Sequence, residues 1–215
     1  MPGKHVHFNL PAMPPTPSPT FSSTSLPSSG GPFTPSPLSY NHPLPSSPGP
    51  THVAPIIALN QVPAIKWDVS FPPSSAQPAT PNITKHALYK AATNPPLPEL
   101  KIICRSLPVP WSVIVVTPQN NTAYVTVSDV LTCVYQSLRQ SLGQHEFYSL
   151  FTPDQHGFLS EAFTSRYRRL PNQDGATEKV KGMKRIDCLI ARRATRFMGL
   201  SSTKEGPHVW LLTVS

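Results

Sequence analysis

The chain has 215 residues and a net charge of +8, and its 29 prolines are unevenly distributed. Fifteen prolines fall in residues 1–55, ten in residues 56–110 and only four in residues 111–215. No apolar stretch approaches the roughly 18 residues that a membrane span requires, and the composition is equally unlike that of a disulfide scaffold, a coiled coil or a solenoid.

Residues 1–64 are predicted to form a disordered tail rich in proline, serine and threonine. Lys4 is the only charged side chain in them, and such a segment buries too little apolar area to offset the entropy cost of ordering its backbone.

The tail contains five Ser/Thr-Pro dipeptides, at Thr16, Ser18, Thr34, Ser36 and Ser47. Proline-directed kinases could phosphorylate these sites and reverse the local charge. Chance at this composition is the alternative interpretation.

The start of the tail carries a short docking pattern. Lys4, Val6 and Phe8 follow the order base–x–Val–x–Phe, which resembles the motif that protein phosphatase 1 binds. In an extended strand the two apolar side chains project to the same side and can fill adjacent pockets, while the backbone adds to a sheet edge. A chance match of a short pattern is the alternative interpretation.

A single domain is predicted over residues 65–215, with Trp67 and Phe71 pinning an irregular proline-rich segment onto its core. Alternation over residues 100–105 and a β-branched run over residues 111–116 predict two strands of an antiparallel hairpin. Thr126 and Asp129 have the spacing of a capping box, so a helix should begin there and run to about Leu142.

The second half of the domain is predicted to contain two more helices and two strands. A short helix over residues 146–151 precedes a helix over residues 161–170 that Ser160 would cap, and a loop follows to about Lys181. Alternation over residues 184–190 predicts a strand with Arg185 and Asp187 paired on its outer face. The last strand covers residues 208–214. The fold class is therefore α+β: a small antiparallel sheet with the helices grouped mid-chain on one face.

The cysteines and the amino terminus bear on the compartment. Cys104, Cys133 and Cys188 are widely spaced and odd in number, which favours reduced, buried thiols over a disulfide framework. The first residues match neither a secretory nor a mitochondrial signal, so a cytoplasmic or nuclear protein is expected.

The sequence contains no metal-ligand spacing, phosphate loop or nucleophile motif. We therefore expect no metal, no cofactor, no catalytic residue and no enzyme activity.

Several phrases taken in order resemble one family. They include Trp67-Asp68, the segment from Ala92 to Leu97, Val125 to Leu131, Gly182 to Asp187, and Phe197 to Ser201. Together with Ala162, Phe163 and Arg166, they make residues 65–215 similar to the basidiomycete fungal family catalogued as domain of unknown function 6699. The resemblance implies a fungal source, one domain and a proline/serine-rich amino terminus. It implies no activity, cofactor or catalytic residue.

Two functions follow from these patterns, and an unrecognised enzyme is a third, less favoured alternative. The first is a non-catalytic protein-interaction module with a regulatory disordered arm. The alternative is binding of nucleic acid or another polyanion, because residues 160–204 contain eleven bases and four acids. The candidate residues for that alternative are Arg166, Arg168, Arg169, Lys184, Arg185, Arg192, Arg193 and Arg196.

Overall fold

The structure is a computed structural model that describes residues 49–80, 84–109, 111–119 and 122–215. Within these ranges the strands are β1 (His52–Val53), β2 (Ile65–Lys66), β3 (Gln77–Pro78), β4 (Thr93–Asn94), β5 (Leu100–Ile103), β6 (Val113–Val116), β7 (Phe197–Ser202) and β8 (Val209–Val214). The helices are α1 (Val127–Leu138), α2 (Gln144–Leu150), α3 (Pro153–Arg168), α4 (Asn172–Val180) and α5 (Ile186–Ala191). Among these described elements, no helix combines the length and the apolar character needed to cross a membrane.

The main sheet has four strands in the order β6-β5-β8-β7. The predicted hairpin is confirmed: β5 and β6 pair antiparallel, with Leu100 opposite Val116. The final strand β8 lies parallel to β5 and antiparallel to β7. A parallel pair needs a long crossover between its strands, and the five helices all lie in the connection that leads from β6 to β7. The α+β class with small, mainly antiparallel sheets is confirmed.

One face of this sheet forms the core. Leu100, Ile102, Val116 and Trp210 are buried on it together with the apolar residues of α1. α1 packs next to β6. On the opposite face of β6, Val113 and Val115 are 50% and 51% exposed. The alternation of exposed and buried residues along β6 therefore separates a covered face from an open one.

The amino-terminal end of α1 is held as the sequence predicts. Thr126 Oγ1 accepts a hydrogen bond from the Asp129 N–H at 3.2 Å, and Asp129 Oδ2 accepts one from the Thr126 N–H at 2.8 Å. This reciprocal capping box satisfies two amides that the first turn leaves unpaired. The helix ends at Leu138, one turn before the predicted Leu142.

Residues before the predicted start of the domain also pack in its core. Ile57 is fully buried, and Leu200 N–H donates to its carbonyl at 2.8 Å. β1 pairs with β4. The compact unit that contains these residues includes the described chain from Gly49 to Ser215. Composition alone assigns this stretch to the tail because it lacks charge, yet its short apolar run around Ile57 supplies enough burial to pack against β7.

Trp67 anchors the proline-rich segment as expected. Its ring is 2% exposed and lies 5.7 Å from the Phe197 ring, centroid to centroid. Its indole N–H donates to the Phe71 carbonyl at 3.0 Å. The Phe71 side chain itself is 43% exposed, so only Trp67 pins this segment through its ring.

Three predictions for the second half of the domain are wrong. α3 begins at Pro153, and Ser160 lies in its middle rather than at its cap. Proline at the first helical position and the return hydrogen bond from Thr152 N–H to Gln155 Oε1 (3.0 Å) start the helix earlier. Residues 172–180 are the helix α4, not a loop. Residues 186–191 are the helix α5, not a strand.

The side-chain pattern explains why α5 is mistaken for a strand. Ile186, Cys188 and Leu189 are all buried, and so is Asp187. A short helix surrounded by core on several sides loses the 3.6-residue stripe that normally distinguishes it from a strand. The predicted pair of Arg185 with Asp187 on an outer face is wrong as well, since Asp187 is fully buried and binds another arginine.

Candidate functional site

The residues of the predicted docking pattern, Lys4, Val6 and Phe8, lie outside the described residues. So do the five Ser/Thr-Pro dipeptides of the tail. The basic segment, residues 160–204, is described throughout.

The eight predicted polyanion-binding residues of that segment divide by burial into two groups. Arg166 and Lys184 are 5% exposed, and Arg185 is half-buried. The exposed group consists of Arg168, Arg169, Arg192, Arg193 and Arg196. Three of the eight predicted polyanion-binding residues therefore serve internal contacts, and five remain available to solvent.

Arg166 and Lys184 belong to a buried ion cluster with Arg139, Glu178 and Asp187. Arg166 projects from α3 and binds Asp187 of α5 through two bonds, from Nε at 2.7 Å and from Nη2 at 3.1 Å. Its Nη1 donates to Glu178 of α4 at 2.6 Å, and its Nη2 also donates to the Gly182 carbonyl at 3.0 Å. The fork of one guanidinium thus joins α3, α4 and α5.

Glu178 is the other centre of the cluster. Lys184 Nζ lies 2.7 Å and Arg139 Nη2 lies 2.8 Å from its Oε2. Burial by itself would raise the pKa of Glu178. The hydrogen bond from Lys184 and the charges of Arg139 and Lys184 outweigh that effect and lower the pKa of Glu178 to about 2. Each charged side chain of the cluster bonds to at least one oppositely charged member, so we assign the cluster to helix packing.

The low pKa of Glu178 predicts a specific acid sensitivity. Its folded-state value of about 2 lies below the ordinary 4.5, so its contribution to stability is complete above pH 4.5 and is lost as the pH falls towards 2. We expect this contribution to stability to amount to at most about 3 kcal/mol.

Urea unfolding from pH 5 to 2 should show a shallower loss of stability in Glu178→Gln than in the parent. The exposed Glu161 of α3 makes none of these contacts, so Glu161→Gln should keep the parent's slope. An unchanged slope in Glu178→Gln would contradict this account.

Arg185 has a separate structural role. Its guanidinium carbon lies 5.1 Å from the centroid of the buried Trp111 ring. The indole N–H of that tryptophan donates to Glu146 Oε1 at 3.1 Å. Arg185 therefore links the start of α5 to the β5–β6 connection and to α2 through a cation–π contact.

The three cysteines are buried free thiols, as predicted. Burial raises the pKa of Cys104 and of Cys133, and burial together with the charge of Asp187 raises that of Cys188 to about 12. Thiols held in the protonated form are poor nucleophiles and poor metal ligands. Within the described ranges, no three His, Cys, Asp or Glu side chains lie close enough together to hold a metal ion.

A concave surface lies where the sequence predicts tail and irregular coil. A cavity of about 770 Å³ is lined by residues of β1, β4 and the chain between them. A second cavity of about 310 Å³ lies beside it and shares Ile56 and Thr84 in its wall. We call the two together the double groove. Its lining is mainly apolar, with these side chains in the larger cavity: Val53, Ala54, Pro55, Ile56, Ala64, Ala87, Ala91 and Pro96.

The charge around the double groove has one sign. His52 and Lys90 line the larger cavity, and among the described residues no Asp or Glu lines either cavity. Tyr89, which lines the smaller cavity, is 62% exposed. No sequence motif marks this site, because its residues come from three short segments that contact one another only in the fold.

Comparison with known proteins gives one match. A model of the family of unknown function DUF6699 matches residues 65–206, which include the main-sheet strands β5, β6 and β7, all five helices and part of the double groove. No curated protein and no solved structure matches the chain. The match covers well over half of the sequence, and the chain belongs to the family DUF6699.

Proposed function

We propose that the protein is a non-catalytic protein-interaction module of the cytoplasm or nucleus, and that its domain binds an extended peptide in the double groove. The observation that carries the proposal is the pair of adjoining apolar cavities with only basic residues among their charged lining. The volume of the larger one is within the usual range of ligand sites.

The form of the groove favours an extended ligand. Two cavities that share one wall can accept two apolar side chains of the same peptide, as in other grooves that bind extended segments. Prolines suit such a ligand because they restrict the free peptide and lower the entropy cost of binding. His52 and Lys90 favour an acidic residue beside the apolar ones. The expected partner segment is therefore apolar, proline-containing and acidic at one end.

Reversal of the charge at Lys90 tests the proposal. Lys90 is exposed at the groove, so Lys90→Glu should leave folding intact and weaken binding of an acidic peptide by about tenfold or more. The probes are synthetic peptides selected on an array of proline-containing apolar sequences with and without Asp or Glu, and affinity is measured by fluorescence anisotropy with the full chain.

Lys204→Glu is the matched control, since it makes the same charge change at an exposed position that does not line the groove. It should bind like the parent. An array from which no peptide binds, or equal weakening in both variants, would refute groove binding.

The tail is proposed as a second, separate docking arm through Lys4, Val6 and Phe8. A purified protein phosphatase 1 catalytic subunit should bind the full chain and lose binding in the Val6→Ala/Phe8→Ala variant, while Lys90→Glu leaves this interaction unchanged. Point variants are preferable to a truncation at Ile65, because that truncation removes the buried Ile57 and strand β1. No binding by the parent would refute the arm.

Polyanion binding remains the alternative, supported by five exposed arginines at or beyond the carboxyl-terminal ends of α3 and α5: Arg168, Arg169, Arg192, Arg193 and Arg196. α3 and α5 pack against each other. If this face binds nucleic acid, affinity should fall steeply as salt rises, because binding releases counterions. Equal affinity for an RNA or DNA probe and for heparin would reduce the alternative to a general charge effect.

A further inference from the structure

The outer strand β6 has unusual features for an exposed sheet edge. It is the first strand in the order β6-β5-β8-β7, so it pairs with β5 on one side only. Its four residues are Val, Ile, Val and Val, and no charged residue interrupts the stretch from Trp111 to Thr117. Natural sheets usually protect an edge strand with charges, bulges or a proline within the strand. Here the two nearest prolines, Pro110 and Pro118, flank the strand instead.

The pairing with β5 determines which backbone groups face outwards. Cys104 N–H donates to the Ser112 carbonyl at 2.7 Å, so Ser112 belongs to a hydrogen-bonded pair. Because such pairs alternate with non-bonded ones in an antiparallel ladder, Ile114 and Val116 also bond to β5. The N–H and C=O groups of Val113 and Val115 therefore point away from β5, towards the free edge.

The side chains of the same two residues lie on the open face of the sheet, about half exposed. Val113 lies opposite Ile103 of β5, and Ile103 lies opposite Leu211 of β8. Ile103 and Leu211 are only partly buried. The open face thus presents an apolar row that ends abruptly at the free edge, where both the backbone and the side chains lack partners among the described residues.

We propose that this edge pairs with β6 of a second copy of the chain, antiparallel about a two-fold axis through Ile114. In this register Val113 lies opposite Val115 of the other copy, and each pair exchanges two backbone hydrogen bonds, about four in total. The proposal is independent of the double groove.

Two features of the sequence favour this register. Pro110 and Pro118 are equally distant from Ile114 in the sequence, so the sequence has a proline at the same spacing on either side of the proposed axis. The four valines meet on the open face and join the two apolar rows into one. A two-fold interface is built from one surface used twice, and β6 meets that condition.

The predicted dimer is weak. Two strands of this length bury less than the roughly 1,200 Å² of a standard interface, so a dissociation constant on the order of 10–500 μM is expected. Each copy carries a charge of +8, so the copies repel. Raising the salt concentration should therefore strengthen the dimer, which is the reverse of its effect on polyanion binding.

The test is sedimentation velocity of the full chain from about 10 μM to about 1 mM, with two substitutions of opposite charge. Val113→Lys puts a charge opposite the apolar Ile103 at an exposed site, and Val115→Glu puts one opposite Lys101, where it suits the monomer. Each variant alone should weaken the dimer by tenfold or more. Val180→Lys and Val180→Glu are the controls, because Val180 is 88% exposed and lies on α4. Both controls should associate like the parent.

An equimolar mixture of Val113→Lys and Val115→Glu tests the register itself. Centred on Ile114, the mixed pair places the new lysine directly opposite the new glutamate, and dimerisation should recover most of its strength. The circular dichroism and melting temperature of each variant confirm that the monomer is folded. A parent that stays monomeric at about 1 mM, a dimer unaffected by either variant, or a mixture that does not recover would overturn the proposal.

Discussion

Arg166→Ala should unfold the domain at much lower denaturant than the parent, with a loss of about 3–5 kcal/mol in the free energy of unfolding. The substitution leaves the fully buried Asp187 carboxylate without the two hydrogen bonds that the guanidinium donates to it. It also removes one cation from Glu178 and the donor to the Gly182 carbonyl. A buried charge deprived of its partner carries the whole cost of desolvation.

Arg168→Ala is the matched control for this prediction. Arg168 is the last residue of the same helix, α3, and its side chain is exposed. Its removal should change stability by about 0.5 kcal/mol or less. Urea titrations of both variants at pH 7 give the comparison. A loss below about 1 kcal/mol in Arg166→Ala would mean that water replaces the guanidinium and that the cluster is less dry than its burial indicates.

A double variant separates the pair from its surroundings. Asp187→Asn alone should also destabilise, because the Arg166 guanidinium would then lack its fully buried counter-charge. The double variant Arg166→Met/Asp187→Asn should lose clearly less stability than the sum of the losses in Arg166→Met alone and Asp187→Asn alone. The reason is that the double variant leaves no unpaired charge between the two positions. Additive losses would show that the two residues act through different neighbours.

The parts of the fold that the sequence predicts well are those whose signals are local. The β5–β6 hairpin follows from a β-branched run bounded by prolines, and the start of α1 follows from the spacing of Thr126 and Asp129. Each signal depends on residues within one turn or one strand, so no tertiary contact is needed to read it.

The parts that sequence analysis misses depend on contacts between distant segments. α5 is short and buried on several faces, and α4 has weak helix-forming residues such as Gly175 within it. What holds both helices is Arg166, which lies on α3 and reaches Glu178 and Asp187. The same arginine looks like part of a basic binding face when only the charge count is known. The ion pairs that take it inside appear only when the three helices are assembled.

The sequence does not reveal the double groove, for a similar reason. Its walls come from chain that is rich in proline and poor in charge, which is also the signature of a disordered segment. This stretch differs from a disordered segment because a few apolar residues around Ile57 pack beside β7. Composition averages over such a short segment, whereas the packing of Ile57 against Leu200 depends on single residues.

Gly199→Ala should destabilise the domain by about 2–4 kcal/mol, because it disrupts this packing. Gly199 has φ of +128°, a conformation that side chains other than glycine rarely adopt. A Cβ at this position would lie 2.5 Å from the Ala58 carbonyl oxygen. The clash is between this Cβ and backbone atoms of the Ala58 segment, which cannot move independently of one another. The segment around Ala58 must therefore shift away from β7. We expect the loss of the Leu200 N–H bond to Ile57 as well as the strain itself.

Gly157→Ala is the control that should change stability in the opposite direction. Gly157 lies within α3, and a Cβ there would meet nothing within 4 Å. Alanine in the helix interior should therefore stabilise the domain by about 0.5–1 kcal/mol. Thermal and urea unfolding of both variants measure the two changes. Native-state hydrogen exchange adds a local readout, since faster exchange of the Leu59 and Leu200 amides in Gly199→Ala would locate the damage at the contact between the amino-terminal segment and β7. Equal stability of Gly199→Ala and the parent would mean that the amino-terminal segment around Ala58 is not held against β7. In that case the wall that Ile56 contributes to the double groove would have no fixed support.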